Sequence, residues 1–430
     1  MYCFTIRMML VHLLTLVVSV VGFGPNRECE DVVYLFVNPA SGGHEASTFT
    51  KSGIDYYHFG EPGLTCHVFV TDIRTGEEGF KRLAVDSKQN ACVTPQRPVR
   101  VVVAGGDGTV VWAMQEALEH ETDMNKVAFG TVPYGTGNDL SRVLGWGDGN
   151  PSNIFDENMK VFRELVESWL HAEVKSFDLW EVAISVGKNG RIRKWKDSAK
   201  KIVRSGKRPM KNLVKLMSNY FSFGIESQIG MKFDEQRTGS RAINKSIYVL
   251  EGIKHMFARG ITRIADSVGE CYSKNRLVFT TDTNNQELPV LNGNPVSMIF
   301  LNINSFAGGC DIWADASAFG LENVESPKFA PMSFSDRKLE VLTYETLFEF
   351  GWEQVRRVHR FIPSFAKRIA QIQDEVTVSF EKDVNLFAQV DGEFYHLQSP
   401  KRISVKHKVQ ARVLSRKATN EYEFVARSKL

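Results

Sequence analysis

RVVVAGGDGTVVWAMQEAL, residues 100–118, decides the fold of this 430-residue chain. It opens on an uninterrupted apolar run, breaks at Gly105-Gly106-Asp107-Gly108-Thr109, and resumes with Val110, Ala113, Met114, Ala117 and Leu118 at helical spacing. An apolar run with no polar face predicts a strand covered on both sides, and the change of period predicts a helix directly behind the glycines. Two further stretches repeat the arrangement. Residues 32–37 run into Asn38-Pro39-Ala40-Ser41-Gly42-Gly43. Residues 127–132 run into Pro133-Tyr134-Gly135-Thr136-Gly137-Asn138-Asp139, with Leu140, Val143 and Leu144 behind. Three strand–glycine loop–helix units predict a three-layer α/β domain. All three loops then lie at the carboxyl ends of its strands, where open α/β sheets bind ligands.

From about residue 175 the pattern changes. Residues 375–380 and 403–413 alternate apolar and polar side chains, as half-buried antiparallel strands do. This predicts an α/β domain over 30–174 and a mainly β, sandwich-like domain over 175–415, followed by a tail over 416–430. Residues 187–215 read as a basic insertion, since between Lys188 and Lys215 there are 12 Lys or Arg against the single acid Asp197. The apolar share of 43%, charged share of 24% and net charge of +3 describe a globular chain and give no argument for a nucleic-acid partner.

Cysteines stand at 3, 29, 66, 92, 271 and 310, with no CxxC pair and no His cluster beside them. Most of them read as small buried apolar residues, and zinc is not expected. The start of the chain is different in kind. After Arg7, an apolar run from Met8 to Gly24 is broken only by His12, Thr15 and Ser19, and Val20 and Gly22 suit the positions before a cleavage site. Residues 1–24 therefore read as a signal peptide or N-terminal anchor. Either would deliver the chain to the secretory pathway or a membrane, with a secreted or luminal product among the outcomes.

The glycine loops carry the chemistry. Small residues let a backbone approach a polyphosphate, and a helix N-terminus adds positive potential there. Asp107 would repel phosphate in a pure anion cradle, so its presence implies a Mg²⁺ ion or a hydroxyl proton in the site. Asn138 or Asp139 can cap the helix behind the third loop. Each loop alone could be an ordinary capped turn; three on one sheet edge point to a nucleotide site. No GxxxxGK[ST] is present, so the loops are not of the Walker type.

The stretches VNPASGG, VVVAGGDGTVVWAMQEAL and GTVPYGTGNDLSRVLGWG closely resemble the catalytic domain of eukaryotic diacylglycerol kinases. NYFSFGIESQIGMKFDEQR, FLNINSFAGG and FAQVDGEFYHLQSPKRISVKHKVQ resemble that family's accessory domain. The resemblance implies a lipid kinase that uses ATP and Mg²⁺ to phosphorylate diacylglycerol to phosphatidic acid. It places Asn38, Gly42, Gly43, Gly105, Gly106, Asp107, Gly108, Thr109, Gly135, Thr136, Gly137 and Asn138 around the nucleotide. It puts Asp391 and Glu393 in a second acidic motif, with Asp391 favoured as the base and Asp107 ordering Mg²⁺ and water, the two roles being exchangeable. Read from residues alone, Asp391-Gly392 is also a hairpin turn between apolar strands.

A sphingoid- or ceramide-directed kinase and a lipid-binding pseudokinase are the competing readings. Tyr134 and Arg337 stand where the family usually has Leu and Gly, and the latter puts a local turn or ion site in question. With none of the family's zinc-finger modules in this sequence, the basic stretch is the candidate contact with an anionic membrane.

Overall fold

The computed structural model describes residues 29–416, apart from 62, 157, 197–200, 204–209, 237–261, 285 and 357–363. The predicted targeting segment at 1–24 and nearly all of the predicted tail lie outside the described residues. Among the described residues no helix is long and apolar enough to cross a membrane.

Strand β1 (Asp31–Val37) leads into a 3₁₀ turn (Glu45–Phe49) and the hairpin β2 (Tyr56–Glu61) and β3 (Leu64–Asp72). Helix α1 (Glu77–Gln89), β4 (Val99–Gly105), α2 (Asp107–Glu119), β5 (Val127–Pro133), α3 (Asp139–Val143) and α4 (Lys160–Leu170) follow. The first loop is thus followed by a single 3₁₀ turn, where the repeated pattern predicted a helix. The sheet order is β2–β3–β1–β4–β5, parallel except for β2. After β1 the chain goes to one side and then crosses to the other, so the order reverses at β1, between the first two glycine loops.

The uninterrupted runs have a simple cause. Val33, Leu35 and Val37 face Phe162, Val166 and Trp169 of α4 on one side of the sheet. Val32, Tyr34 and Phe36 face Phe80 and Leu83 of α1 and Val110 and Met114 of α2 on the other. Both faces are covered, so neither can carry polar residues. Fully burying one such side chain contributes about 1.5–3 kcal/mol, so Phe36→Ala, with its added cavity, should cost about 3–5 kcal/mol.

The second half is built around a long antiparallel ribbon, β6 (Glu173–Lys196) paired with the C-terminal strand Glu393–Ser415. One end of this ribbon belongs to the first core, through Phe177, Leu179, Ala411 and Val413, and Val413 pairs in parallel with Phe129 of β5. The other end belongs to the second core, through Trp180, Val182, Ile403 and Val405. The change of character near Val174 therefore falls at the entry to a ribbon that both cores share.

Strands β7 (Lys201–Val203) and β8 (Asn212–Met217) both pair with β6. Much of the basic stretch read as an insertion is therefore strand, with 197–200 and 204–209 outside the described residues. Strand β9 (Tyr220–Gly224) then joins the second sheet between Ser297–Leu301 and Asn385–Val390.

The cysteine reading needs one correction. Cys66, Cys271 and Cys310 are buried thiols, but Cys29 and Cys92 form a disulfide. These two stand 63 positions apart, a distance over which sequence spacing alone carries no pairing signal.

Candidate active site

The three loops are knitted together backbone to backbone. Asn38 donates its amide N–H to Ala104 O (2.9 Å), and its side-chain Nδ2 lies 3.3 Å from Thr109 Oγ1. Tyr134 N–H donates to Gly105 O at 2.9 Å. A Cβ on Gly135 would stand 2.7 Å from the Gly106 Cα and 2.6 Å from Asn138 Oδ1. Gly42 has φ +63, and a Cβ there would meet the buried Tyr134 ring at 3.0 Å. Gly42, Gly106 and Gly135 are therefore glycines because the loops touch one another at those points, and Gly105 because a Cβ there would stand 2.6 Å from the Thr109 side chain of its own loop. Gly108 and Gly43 differ, since a Cβ on either meets nothing within 4 Å. Of the two, Gly108 lies in the first turn of α2, where a ligand's negative charge gains from the exposed N–H groups.

Asn138 and Asp139 do not act as the expected cap. Asn138 sits in the left-handed region at φ 51 with no capping hydrogen bond. Its Oδ1 instead accepts from Gly135 N–H (2.8 Å), and its Nδ2 donates to Asp148 O (3.1 Å), so it braces the loop from inside. Asp139 is buried and reaches the second domain, accepting from Ser305 Oγ at 2.5 Å and Gly308 N–H at 2.9 Å. Beside it, Arg142 donates to Gly137 O (3.1 Å) and pairs with Asp148. Thr136 is exposed at the tip of the loop. Sequence reasoning missed this anchoring role; the available signal was an acidic residue directly after an asparagine that already satisfied the turn.

Asp107 opens α2 and is half-buried. Its Oδ2 accepts from Asp139 N–H at 2.8 Å. Burial pushes this carboxyl up to about 7, with the Asp139 and Asp391 carboxylates adding to the rise and the amides of Asp139 and Leu140 opposing it. Asp391 thus comes from the other domain to within electrostatic reach of Asp107.

Asp391 and Gly392 form the tight turn between Asn385–Val390 and the C-terminal strand, with φ 46 and 81. Both central residues are left-handed, as a type I′ hairpin requires. The carboxylate is enclosed by a curl of backbone: Ser218 N–H at 2.7 Å, Asn219 N–H at 2.9 Å and Tyr220 N–H at 2.9 Å, with Ser218 Oγ at 3.2 Å. Two donors face each oxygen. Burial still raises this carboxyl, to about 6, against the pull of those donors.

Glu393 is engaged elsewhere. Its Oε2 lies 3.0 Å from both Lys194 Nζ and Lys215 Nζ and accepts from Tyr395 OH at 2.6 Å. Burial raises this carboxyl, but the Tyr395 hydroxyl and the two ammonium groups outweigh it and hold the group at about 2. A carboxylate so strongly held in its ionised form is a poor proton acceptor.

Arg337, where a glycine was expected, does adopt a glycine-like conformation, at φ 59. The turn is held by its N–H donating to the buried Asp178 Oδ2 (2.7 Å) and by its side chain pairing with Asp374 (2.8 Å). His407 and Gln410 complete the shell around Asp178 at 3.0 and 3.1 Å.

Comparison with known proteins agrees with this geometry in its two parts. The family model for the diacylglycerol kinase catalytic domain matches residues 32–169, and that for the diacylglycerol kinase accessory domain matches residues 216–394. Diacylglycerol kinase 1 of Arabidopsis thaliana is 28% identical over 325 residues, which is 74% of this chain and 38% of that protein. Diacylglycerol kinase 2 of the same plant is 28% identical over 331 residues, 75% of this chain and 39% of that protein. The eye-specific diacylglycerol kinase of Drosophila melanogaster is 28% identical over 293 residues, 66% of this chain and 17% of that protein. The chain thus spans well under half the length of these curated relatives.

Proposed function

Because the chain belongs to the diacylglycerol kinase family, we propose that it moves the γ-phosphoryl of ATP onto the free hydroxyl of diacylglycerol, giving phosphatidic acid. The observation that carries this reading is the meeting of Asp107, at the head of α2 among three interlocked glycine loops, with Asp391 from the accessory domain.

Phosphoryl transfer runs through a loose transition state, so positioning and charge stabilisation do most of the work. The open backbone at Gly108 and the first turn of α2 receive the nucleotide's phosphates. Asp107 takes the lipid hydroxyl proton as the oxygen attacks. Its carboxyl, held near 7, is matched to that task at neutral pH. Asp391, with two donors on each oxygen, has little acceptor capacity left. Its charge tunes Asp107, and its hydrogen bonds hold the Ser218–Tyr220 backbone in place. The proton-accepting role, favoured for Asp391 from the sequence, is thereby given to Asp107.

Mg²⁺ fits this donor set, since that ion is held chiefly by phosphates and water with one or two carboxylates. Asp107 would order it through water rather than ligate it directly, and when bound the ion would neutralise phosphate charge. A kinase assay offering diacylglycerol, monoacylglycerol, ceramide and sphingosine side by side tests the substrate. Diacylglycerol should give the highest kcat/KM; turnover of ceramide or sphingosine alone would overturn the reading.

We also place the enzyme in the secretory pathway or on its membranes. The apolar run before Cys29 supports this, as does the Cys29–Cys92 disulfide, which suits an oxidising compartment. Contact with anionic lipid falls to the basic stretch 188–215, less Lys194 and Lys215, which Glu393 occupies. Equal co-sedimentation with anionic vesicles after neutralising Lys188, Arg191 and Lys211 would remove that contact.

A further inference from the structure

At the opposite end of β1 from Asn38 stands a cluster that phosphoryl transfer does not use. Glu30 immediately precedes β1, His58 lies on β2 and His67 on β3. The hairpin register sets His58 directly opposite His67, with ring centroids 4.9 Å apart. β1 runs parallel to β3 with Asp31 opposite Cys66, which brings Glu30 in beside the same pair.

Glu30 Oε2 lies 3.2 Å from His58 Nε2 and 2.5 Å from His67 Nε2, and one ligand atom from each of the three residues falls within 4.8 Å of the others. In a tetrahedral zinc site with metal–ligand bonds of about 2.0–2.1 Å, neighbouring ligand atoms stand about 3.3 Å apart. The cluster is close to that spacing without an ion in it.

Two further features mark it as built. The second ring nitrogen of His67, Nδ1, is 2.8 Å from the Tyr56 hydroxyl. That contact orients the imidazole and leaves Nε2 aimed at Glu30, the arrangement that metal-ligating histidines use. The backbone on either side of Glu30 is also pinned, by the Cys29–Cys92 disulfide before it and by the Asp31–Arg97 ion pair (2.8 Å) after it. The third ligand is therefore not on a free end. His58 and His67 remain accessible, at 43% and 34% side-chain exposure, so an ion has a way in.

We propose that Glu30, His58 and His67 form a binding site for a zinc-class divalent cation, with water in the fourth position. Two imidazoles and a carboxylate suit zinc and its first-row neighbours and not Mg²⁺ or Ca²⁺, which take oxygen. The cysteine-based expectation of no zinc passed over these histidines because they are not adjacent in sequence. The register of the β2–β3 hairpin brings them together. The site clasps the start of β1 to the edge hairpin, remote from the phosphate loops, so its first effect is on stability.

The test is isothermal titration of the metal-stripped, disulfide-intact, untagged protein with zinc, alongside cobalt absorption spectroscopy. One zinc per chain should bind, cobalt should give the intense visible bands of a four-coordinate ion, and zinc should raise Tm. His67→Ala and Glu30→Gln should each weaken zinc binding at least tenfold and abolish the Tm rise, with kinase turnover kept. Tyr56→Phe, which leaves the three ligands in place, should weaken binding about tenfold. Absence of saturable zinc binding by the folded protein would overturn the proposal. So would zinc affinity unchanged in His67→Ala and Glu30→Gln.

Discussion

Asp107 heads a helix with its carboxylate facing the amides of Asp139, at 2.8 Å, and Leu140, whereas Asp391 sits in a hairpin turn with two donors on each oxygen. Both are carboxylates beside a glycine, and both are raised by burial, to about 7 and about 6. The difference lies in unused acceptor capacity. A group whose lone pairs are all engaged must break a hydrogen bond to take a proton, whereas one with two donors for four lone pairs does not. Proton transfer is accordingly assigned to the first, and positioning to the second.

The largest expected effect comes from Asp107→Asn. Loss of a general base lowers turnover by about 10²–10⁴-fold, while the new side-chain oxygen can still accept from Asp139 N–H. The change should also raise stability at pH 8. A carboxyl whose folded value is raised stabilises the native state below its unfolded value near 4, and that contribution is lost as pH rises through about 7. Above pH 7 the wild type carries a destabilising charge that the amide lacks. Thermal melts at pH 5 and pH 8 should show the variant gaining more at the higher pH; a lower Tm at pH 8 would contradict the burial argument.

Asp391→Asn should behave oppositely. One of its two acceptor oxygens becomes an NH₂ group, leaving a buried backbone N–H facing a donor, at a cost of about 1–3 kcal/mol. Turnover should fall less than in Asp107→Asn. Urea unfolding separates the two variants, and an undiminished midpoint for Asp391→Asn would remove its positioning role.

The glycines sharpen the same contrast between packed and open positions. Gly135→Ala forces a Cβ to within 2.7 Å of Gly106 and should cost about 1–3 kcal/mol. Gly108→Ala meets nothing within 4 Å and lies in a helix. It should be neutral or stabilising by up to about 1 kcal/mol, yet raise the KM for ATP. An unchanged KM would place the phosphates elsewhere.

The smallest effect belongs to Glu393→Gln, which frees Lys194 and Lys215 from an ion pair whose acid is 38% exposed. Discounted for solvent, the loss should be about 1 kcal/mol or less. Because the folded carboxyl is depressed, to about 2, this contribution is present above about pH 4.5 and fades as pH falls toward 2.

Much of the first domain was legible because its runs are buried on both faces, and continuous burial leaves a mark in sequence that needs no partner to read. The glycine loops were legible as a ligand site for a related reason, since close backbone approach excludes side chains. What the glycines approach was not. Gly106 and Gly135 face each other and Gly108 faces open space, a distinction set by tertiary contact that no motif spells out.

Asp139, the Ser218–Tyr220 backbone curl around Asp391 and the Cys29–Cys92 disulfide were invisible for the same reason. Each joins segments far apart in the chain, and neither spacing nor periodicity records such a pairing. Glu393 shows the converse: its place in a motif suggested chemistry, while its neighbours Lys194 and Lys215 hold it as an ion pair.

The pH dependence of kcat/KM for diacylglycerol phosphorylation, compared between wild type, Asp107→Asn and Asp391→Asn, tests the division of labour most directly. The account predicts an ascending limb near pH 7 in the wild type, retained with a downward shift in Asp391→Asn, where one repelling charge is gone. The limb should be absent from the residual activity of Asp107→Asn. A limb that survives in Asp107→Asn and vanishes in Asp391→Asn would give the proton to Asp391 and contradict the assignment.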